Sequence, residues 1–449
     1  MDYKEKLQFD KMTKTPIPKL VIRLAIPTVL SMLITAIYNM ADTYFVSQLG
    51  TSASGAVGIV FSLMSIIQAI GFALGIGSGS IISRKLGEQK KDEASKCAST
   101  SFFAAIVSGV LITVLGLLFI DNLMRFLGAT ETILPYARDY AQYILIGAAV
   151  LGSSFVLNNI LRAEGKALFS MVGLMAGGVL NIALDPLFIF VFDMGISGAA
   201  IATLISQCIS FLILLSFFLL RKSQLKLSIK NISRKFRDYW DILTIGFPSM
   251  CRQGLAAIAT VCLNNQAAVY GDAAIAAFSI VGRLFMFVLS VILGIGQGFQ
   301  PVAGYNYGAK LYKRVKKAFG FTVVLGTVTM SILSVIGFIF APQIISLFRA
   351  EDLAVVEIGA LALRLQCLVL PLEALSVSVN MLFQSIGKVK SAAFLSCTRQ
   401  GIFFFPLIFT LPYIFGIFGL QITQPAADLL SAAVCIPFII IFFKQLKKM

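Results

Sequence analysis

The chain contains no histidine, which removes imidazole bases, His–zinc centres and imidazole proton relays from consideration. Charge is scarce as well. Acidic residues number 21 against 37 lysines and arginines, and charged residues make up only 13% of 449 positions. Soluble domains carry roughly a quarter charged residues, so a water-soluble fold is excluded. The seven cysteines (97, 208, 251, 262, 367, 397 and 435) form an odd set without a C-x-x-C pair, mostly inside apolar stretches. That pattern argues against disulfides and metal frameworks and for small packing residues. No P-loop is present, and "GIGSG" and "GIGQG" lie inside apolar runs rather than after a strand. ATP-driven transport by this chain and dinucleotide binding are thereby disfavoured, and no enzymatic activity or resident cofactor is expected.

What remains is hydrocarbon. Apolar residues reach 58% of the chain and the mean hydropathy is +0.89. The apolar content falls in runs of about 20–30 residues, each able to cross roughly 30 Å of lipid as a helix. Alternating ten-residue segments of barrel type are absent, so an all-α integral membrane protein is expected. Twelve spans are predicted, at 16–47, 54–83, 95–120, 133–162, 167–192, 197–221, 241–269, 273–306, 314–345, 354–385, 389–415 and 418–443. Residues 1–15, "MDYKEKLQFDKMTKT", read as a polar cytoplasmic tail. They are not a cleavable signal, because the apolar run that follows is too long and lacks a processing site.

The basic residues are placed by topology. Those within 4–23, 84–96, 162–166, 221–237, 310–317, 388–390 and 444–448 number 30 of the 37. The opposite face keeps Arg125, Arg138 and Arg349. An excess of this kind marks the cytoplasmic side, so both termini are expected inside a cytoplasmic, multi-pass membrane protein. The net charge of +16 is thus explained without nucleic acid.

The sequence also repeats. "GIGSG" at 75–79 answers "GIGQG" at 294–298, "AEGK" at 163–166 answers "SIGK" at 385–388, and Pro27 answers Pro248. The offsets all lie near 220 residues, which predicts an N-lobe of 16–221, an inter-lobe loop at 222–240 and a C-lobe of 241–449. Six helices per repeat give both lobes the same orientation, the parallel-repeat plan of transporters with a site in a central cleft.

Ionisable groups in hydrocarbon cost about 2.5–3.5 kcal/mol or more, so each marks a candidate site. Asp42 and Asp185 stand in the first half with no Lys or Arg one turn away. Asn181 shares a helix face with Asp185, Tyr38 with Asp42, and Thr203 with Gln207, each at four-residue spacing. Pro27 and Pro186 can free carbonyls and bend helices nearby. Isolated buried carboxylates are tolerated when they hold a proton or bind a cation, and Asp, Asn and Thr oxygens suit a small hard ion such as Na+. The alternative is a structural hydrogen bond from Asp to Tyr or Thr. The second half differs. Its segment "GIFFFPLIFTLPYIFG" has no acid, whereas Arg252, Arg283, Arg364, Glu373, Arg399 and Asp428 occur elsewhere. Glu373 and Asp428 either pair with arginines, or Glu373 serves as counter-charge to a cationic substrate. Gln253, Asn264, Met286 and Asn380, with Tyr38 from the first half, are the further cleft candidates, an amide-and-aromatic wall for amphipathic cations.

Taken together, "MADTYFVSQLG", "LRAEGK", "LNIALDPLFIF", "GISGAAIATLISQ" and "QPAADLLSA" give the chain a resemblance to the multidrug and toxic compound extrusion (MATE) family, MepA-like branch, over about 16–445. The resemblance implies two six-helix lobes in a V, exporting organic cations in antiport with H+ or Na+; separately, a monomer is expected. It implies an N-lobe coupling site at Asp42, Tyr140, Asn158, Asn181, Asp185 and Thr203, with Na+ at Asp42, Asn181, Asp185 and Thr203. In some relatives the C-lobe couples through acids on helices 7 and 10. Here helix 7 has none, which favours the N-lobe. A lipid-linked oligosaccharide flippase of the same superfamily is the rival reading. It would draw on Arg252, Arg283, Arg364 and Arg399 for a pyrophosphate.

Overall fold

The computed structural model describes residues 3–348 and 352–446, and Arg349, Lys447 and Lys448 lie outside them. No strand occurs among the described residues. The helices are α1 (Tyr3–Lys14), α2 (Ile17–Ser47), α3 (Thr51–Gly87), α4 (Lys91–Leu118), α5 (Ile120–Phe126), α6 (Leu134–Ile146), α7 (Ala148–Ala163) and α8 (Ala167–Pro186). They continue as α9 (Gly195–Leu219), α10 (Phe236–Ala268), α11 (Asp272–Gly308), α12 (Tyr312–Ile339), α13 (Ala341–Ser346), α14 (Leu353–Ser385), α15 (Val389–Cys397) and α16 (Phe404–Leu446). Local signals set several ends. Pro18 occupies the first turn of α2, where a missing N–H costs nothing. Asp92 and Glu93 face the positive end of α4. The Asp352 carboxylate caps α14 by accepting from the amides of Ala354 and Val355 at 3.1 and 3.3 Å.

Eight of the predicted spans are single helices, and four need more comment. α6 and α7 form one span bent by 49°. The ninth combines α12 with the short α13. The segment Val389–Leu446 runs for 58 residues, about 87 Å of helix, far more than one crossing needs. It breaks at Gly416, whose φ of +60° and ψ of −140° suit glycine and little else. A Cβ on Gly419 would lie 2.0 Å from the Leu411 carbonyl oxygen, so the chain turns back on itself there. The reversal makes two spans of one segment, and with the bent pair counted as one the described residues hold twelve candidate spans.

The spans form two repeated lobes. In the first, α2 packs on α8, α8 on α9, and α3 and α4 on α7; in the second, α11 and α12 pack on α14, α14 on α16 and α10 on α15. The repeat extends to side chains. Asn158 donates to Ser170 Oγ at 2.6 Å and to its carbonyl at 3.1 Å. Asn380 donates to Ser396 Oγ at 2.8 Å and the Ala392 carbonyl at 2.9 Å. The lobes meet through α2 on α11 and α3 on α10 and α11. A Cβ on Gly87 would sit 2.1 Å from the Tyr305 carbonyl oxygen, and one on Gly308 2.1 Å from that of Arg84. Only glycine permits backbones that close. Gly77 against Ile242, Gly246 against Ala73 and Gly298 against Ala25 extend the seam, with Arg162 hydrogen-bonded across it to Gln297. These contacts lie in the halves of the helices nearest the basic loops. The lobes are therefore joined at the basic end.

Two polar segments prove more ordered than their composition suggests. Residues 1–15, read as a tail, contain α1, which lies across both lobes at the basic end. Toward the first lobe, Gln8 donates to the Glu164 carbonyl at 2.6 Å and Glu5 pairs with Lys91. Toward the second, Asn306 donates to the Met12 carbonyl at 3.1 Å, Arg314 to that of Thr15 at 2.6 Å, and Phe9 packs on Tyr305. The inter-lobe loop is pinned to α4: Ser228 N donates to Ser99 Oγ at 3.1 Å and Ser233 N to Thr100 Oγ1 at 2.9 Å. Both segments are held by polar partners from distant parts of the chain, which no local hydropathy pattern reports.

Candidate functional site

The site begins with α8, whose glycines let it sink between two neighbours. A Cβ on Gly178 would meet Ile34 and Tyr38 of α2, and one on Gly177 would meet Ser210 of α9. This close approach carries the end of α8 into the lobe interior, where Asn181 and Asp185 are 3% and 0% exposed. Pro186 has no N–H to continue the helix, and a π turn follows over Leu187–Val191, closed by Phe192 N on the Leu187 carbonyl at 3.0 Å. α2 brings Asp42 and Tyr38, α6 brings Tyr140 and α9 brings Thr203, so four spans converge.

The hydrogen bonds are few. Asn181 Nδ2 donates to Asp185 Oδ1 at 3.0 Å and to Thr203 Oγ1 at 3.2 Å. The Tyr140 hydroxyl donates to Asp42 Oδ2 at 3.4 Å, near the limit for such a bond. Tyr38 is tied to Gln207, and the two carboxylates lie within electrostatic reach of each other. Three buried oxygens have no partner: Asp42 Oδ1, Asn181 Oδ1 and Asp185 Oδ2. Neither carboxylate forms an ion pair among the described residues. Buried acceptors left open at one place are unusual and call for an explanation. These three are acceptor-only or carbonyl oxygens, and they fit a proton or a small hard cation. No three His, Cys, Asp or Glu side chains converge among the described residues, so the donor set is not that of a zinc or iron centre.

The corresponding region of the second lobe is built otherwise. Arg399 lies in a π segment, Thr398–Phe403. Its Nε stands 2.8 Å from Asp428 Oδ1 on α16 and 3.1 Å from Glu373 Oε1 on α14. Gln366 and Gln424 donate to Asp428 at 2.7 and 2.6 Å, and the guanidinium lies 5.0 Å over the Phe285 ring.

One comparison joins these two lobes to known proteins. The MatE family model matches residues 27–187 and 248–410, one stretch in each lobe and together well over half of the chain. The chain belongs to the MatE family. The multidrug export protein MepA of Staphylococcus saprophyticus is 26% identical over 93% of this chain and 92% of its own length. MepA of Staphylococcus aureus strain NCTC 8325 is 28% identical with the same coverage. A solved outward-facing multidrug resistance MATE transporter of the MOP superfamily superposes with a TM-score of 0.93 at 29% identity, covering 98% of each chain. A MOP transporter from Pyrococcus furiosus, whose binding pocket of reverse polarity was taken to suggest a different function, gives 0.92 at 29% identity, with 98% of this chain and 99% of that one covered.

Within this MatE fold, the structure brings together five of the six residues named for coupling and separates the sixth. Asn158 is bonded to Ser170, eleven residues before Asn181 on α8 and thus about 16 Å away along the helix. It clamps the turn between α7 and α8, as Asn380 does between α14 and α15, so Asn380 is 6% exposed and does not face a cleft. Of the two readings of Glu373, the structure shows the pairing with an arginine, Arg399. Tyr38 is half-buried beside Asp42, while Gln253 and Asn264 are exposed on one face of α10 and Met286 on α11. Of the arginines that a pyrophosphate would need, Arg399 is taken up by acids and Arg364 donates to the Phe338 carbonyl at 3.2 Å. Gln207 belongs to the N-lobe constellation through Tyr38. Its four-residue spacing from Thr203 was the available signal. Ser206, buried at 0% exposure with no partner for its hydroxyl, carried no signal at all.

Proposed function

We propose that this MatE-family protein is a secondary active multidrug exporter that expels amphipathic organic cations in antiport with H+ or Na+, the exchanged ion being carried by Asp42 and Asp185. The observation that carries this reading is the set of three unpartnered buried oxygens on Asp42, Asn181 and Asp185. The names of the relatives as multidrug export proteins support export as the direction and drugs as the cargo. If Na+ is the ion, Asp42, Asn181, Asp185 and Thr203 hold it, and it supplies charge neutralisation and a geometric tie between α2, α8 and α9. If H+ is the ion, one carboxyl keeps it and donates to an oxygen now orphaned.

The shape supports a cycle. The basic end, closed by the glycine seam, is the cytoplasmic end by the charge distribution, with both termini there and the chain in the cytoplasmic membrane as a monomer. Asp42 is about 37 Å along α2 from Ile17, in the half away from that seam. An ion arriving from outside meets the acids in this conformation. Its binding draws α2 toward α8, reshapes the N-lobe wall of the cleft and lowers the affinity for drug. Coupling requires that the drug bind the two states unequally. The membrane potential supplies roughly 2.3 kcal/mol per charge per 100 mV, and a concentration gradient adds to it.

The test is efflux of a fluorescent organic cation from proteoliposomes, with a Na+ gradient and a pH gradient imposed separately. One of the two is expected to drive accumulation against the drug gradient. Equal flux with both gradients collapsed defeats the proposal.

A further inference from the structure

We propose that Arg399 is a covalently tethered cation that permanently occupies the C-lobe carboxylate site and so confines exchangeable-ion binding to the N-lobe. This deepens the function proposed above and rests on it for the meaning of the N-lobe. The argument comes from the geometry of the two lobes. Each has a π segment in its fifth span: Leu187–Val191 directly after Asp185, and Thr398–Phe403 containing Arg399. A π turn inserts one extra residue and re-aims the side chains around it. In the N-lobe two acids face each other with no base. In the C-lobe two acids again converge, Glu373 from α14 and Asp428 from α16, each 1% exposed, but a single guanidinium edge stands between them at 3.1 and 2.8 Å.

The contacts divide unequally. Asp428 accepts from Gln366, Gln424 and Arg399. Glu373 has an ion-pair distance to Arg399 and no hydrogen bond, and Arg399 Nη2 has none either. The cation is thus hydrogen-bonded on the Asp428 side and held by charge alone on the Glu373 side. Arg252 on α10 lies within electrostatic reach of Arg399, and Cys435 of α16 stands near Glu373. Arg252 pairs with neither acid among the described residues. A cation on the same chain competes at very high effective concentration, so a dissolved ion does not displace it.

The experiment counts protons. Purified full-length protein in weakly buffered choline chloride is acidified from about pH 8 to about pH 6, and uptake per chain is read with an indicator dye. The Asp42→Asn/Asp185→Asn double variant is expected to take up fewer protons than the native chain. Adding Arg399→Gln to it is expected to restore about one proton per chain, because two adjacent buried carboxylates do not both stay ionised. Arg399→Lys, which keeps the charge, is expected to restore none. No gain with Arg399→Gln, or an equal gain with Arg399→Lys, overturns the proposal. If the double variant still takes up as many protons as the native chain, the N-lobe reading fails, and Arg399 is still judged by the difference its own substitution makes. Should Arg399→Gln not fold, Glu373→Gln in the native background is expected to retain gradient-driven efflux within about threefold. Loss of coupling there would make Glu373 itself a carrier and sink the idea.

Discussion

The two lobes share a fold, a π segment in the fifth span and an asparagine clamp, yet they treat buried charge in opposite ways. The N-lobe leaves Asp42 and Asp185 without a base, and on these two and Asn181 three oxygens have no partner. The C-lobe sets an arginine between its two carboxylates and adds two amides on Asp428 alone, while Glu373 is held by charge without a hydrogen bond. Duplication therefore copied the scaffold and not the electrostatics. Both clusters keep polar atoms without hydrogen bonds, and what separates them is charge: the C-lobe acids have a fixed cation between them and the N-lobe acids have none.

The contrast can be broken most decisively at the N-lobe acids. Asp42→Asn and Asp185→Asn are each expected to reduce gradient-driven efflux to background while the protein elutes and melts as the native chain does. Native efflux in both variants would remove the carboxylates from the mechanism. The next largest effect belongs to the C-lobe. Asp428→Leu strips Arg399, Gln366 and Gln424 of their common acceptor and is expected to cost about 3–5 kcal/mol, seen as a lower melting temperature in detergent. Asp185→Asn has no base to orphan and is expected to melt unchanged. Equal destabilisation by the two would erase the distinction between the lobes.

A third comparison sharpens the shared part. Asn158→Ala and Asn380→Ala break equivalent clamps, each two hydrogen bonds onto the next helix. Both are expected to cost about 1–3 kcal/mol of stability and to leave the ion dependence of transport alone. A selective change in ion dependence with Asn158→Ala would return that residue to the coupling site. The smallest effect is expected from Tyr140→Phe, which removes one long bond of 3.4 Å to Asp42. About 0.5–1.5 kcal/mol, or roughly two- to tenfold in apparent ion affinity, follows for a single neutral donor. Complete loss of transport would show that the tyrosine does more than orient the acid.

Much of this was legible in one dimension because the bilayer is a demanding solvent. Span positions, the even count and the duplication follow from apolar run length, loop charge and repeated glycine and proline motifs. Asp42, Asn181, Asp185 and Thr203 stood out because polar groups are costly in hydrocarbon. Asn158 stood out for the same reason but lies apart from them, bonded to Ser170, since polarity in an apolar run announces a partner without saying which one. Glu373 and Arg399 were both visible, yet 26 residues of chain separate them and only helix packing shows that they meet. The helix at Tyr3–Lys14 was hidden for a further reason: it is held at the basic end by side chains and carbonyls of both lobes, and these hydrogen bonds leave no periodic trace.

The sequence by itself set out twelve apolar spans in a doubled unit, because transfer free energy depends on composition and order alone. Only the tertiary structure decided which buried charges are satisfied. That depends on a few ångströms between helices distant in the chain, set here by glycine contacts and π turns, and it separates two aspartates without a base from two acids with an arginine between them.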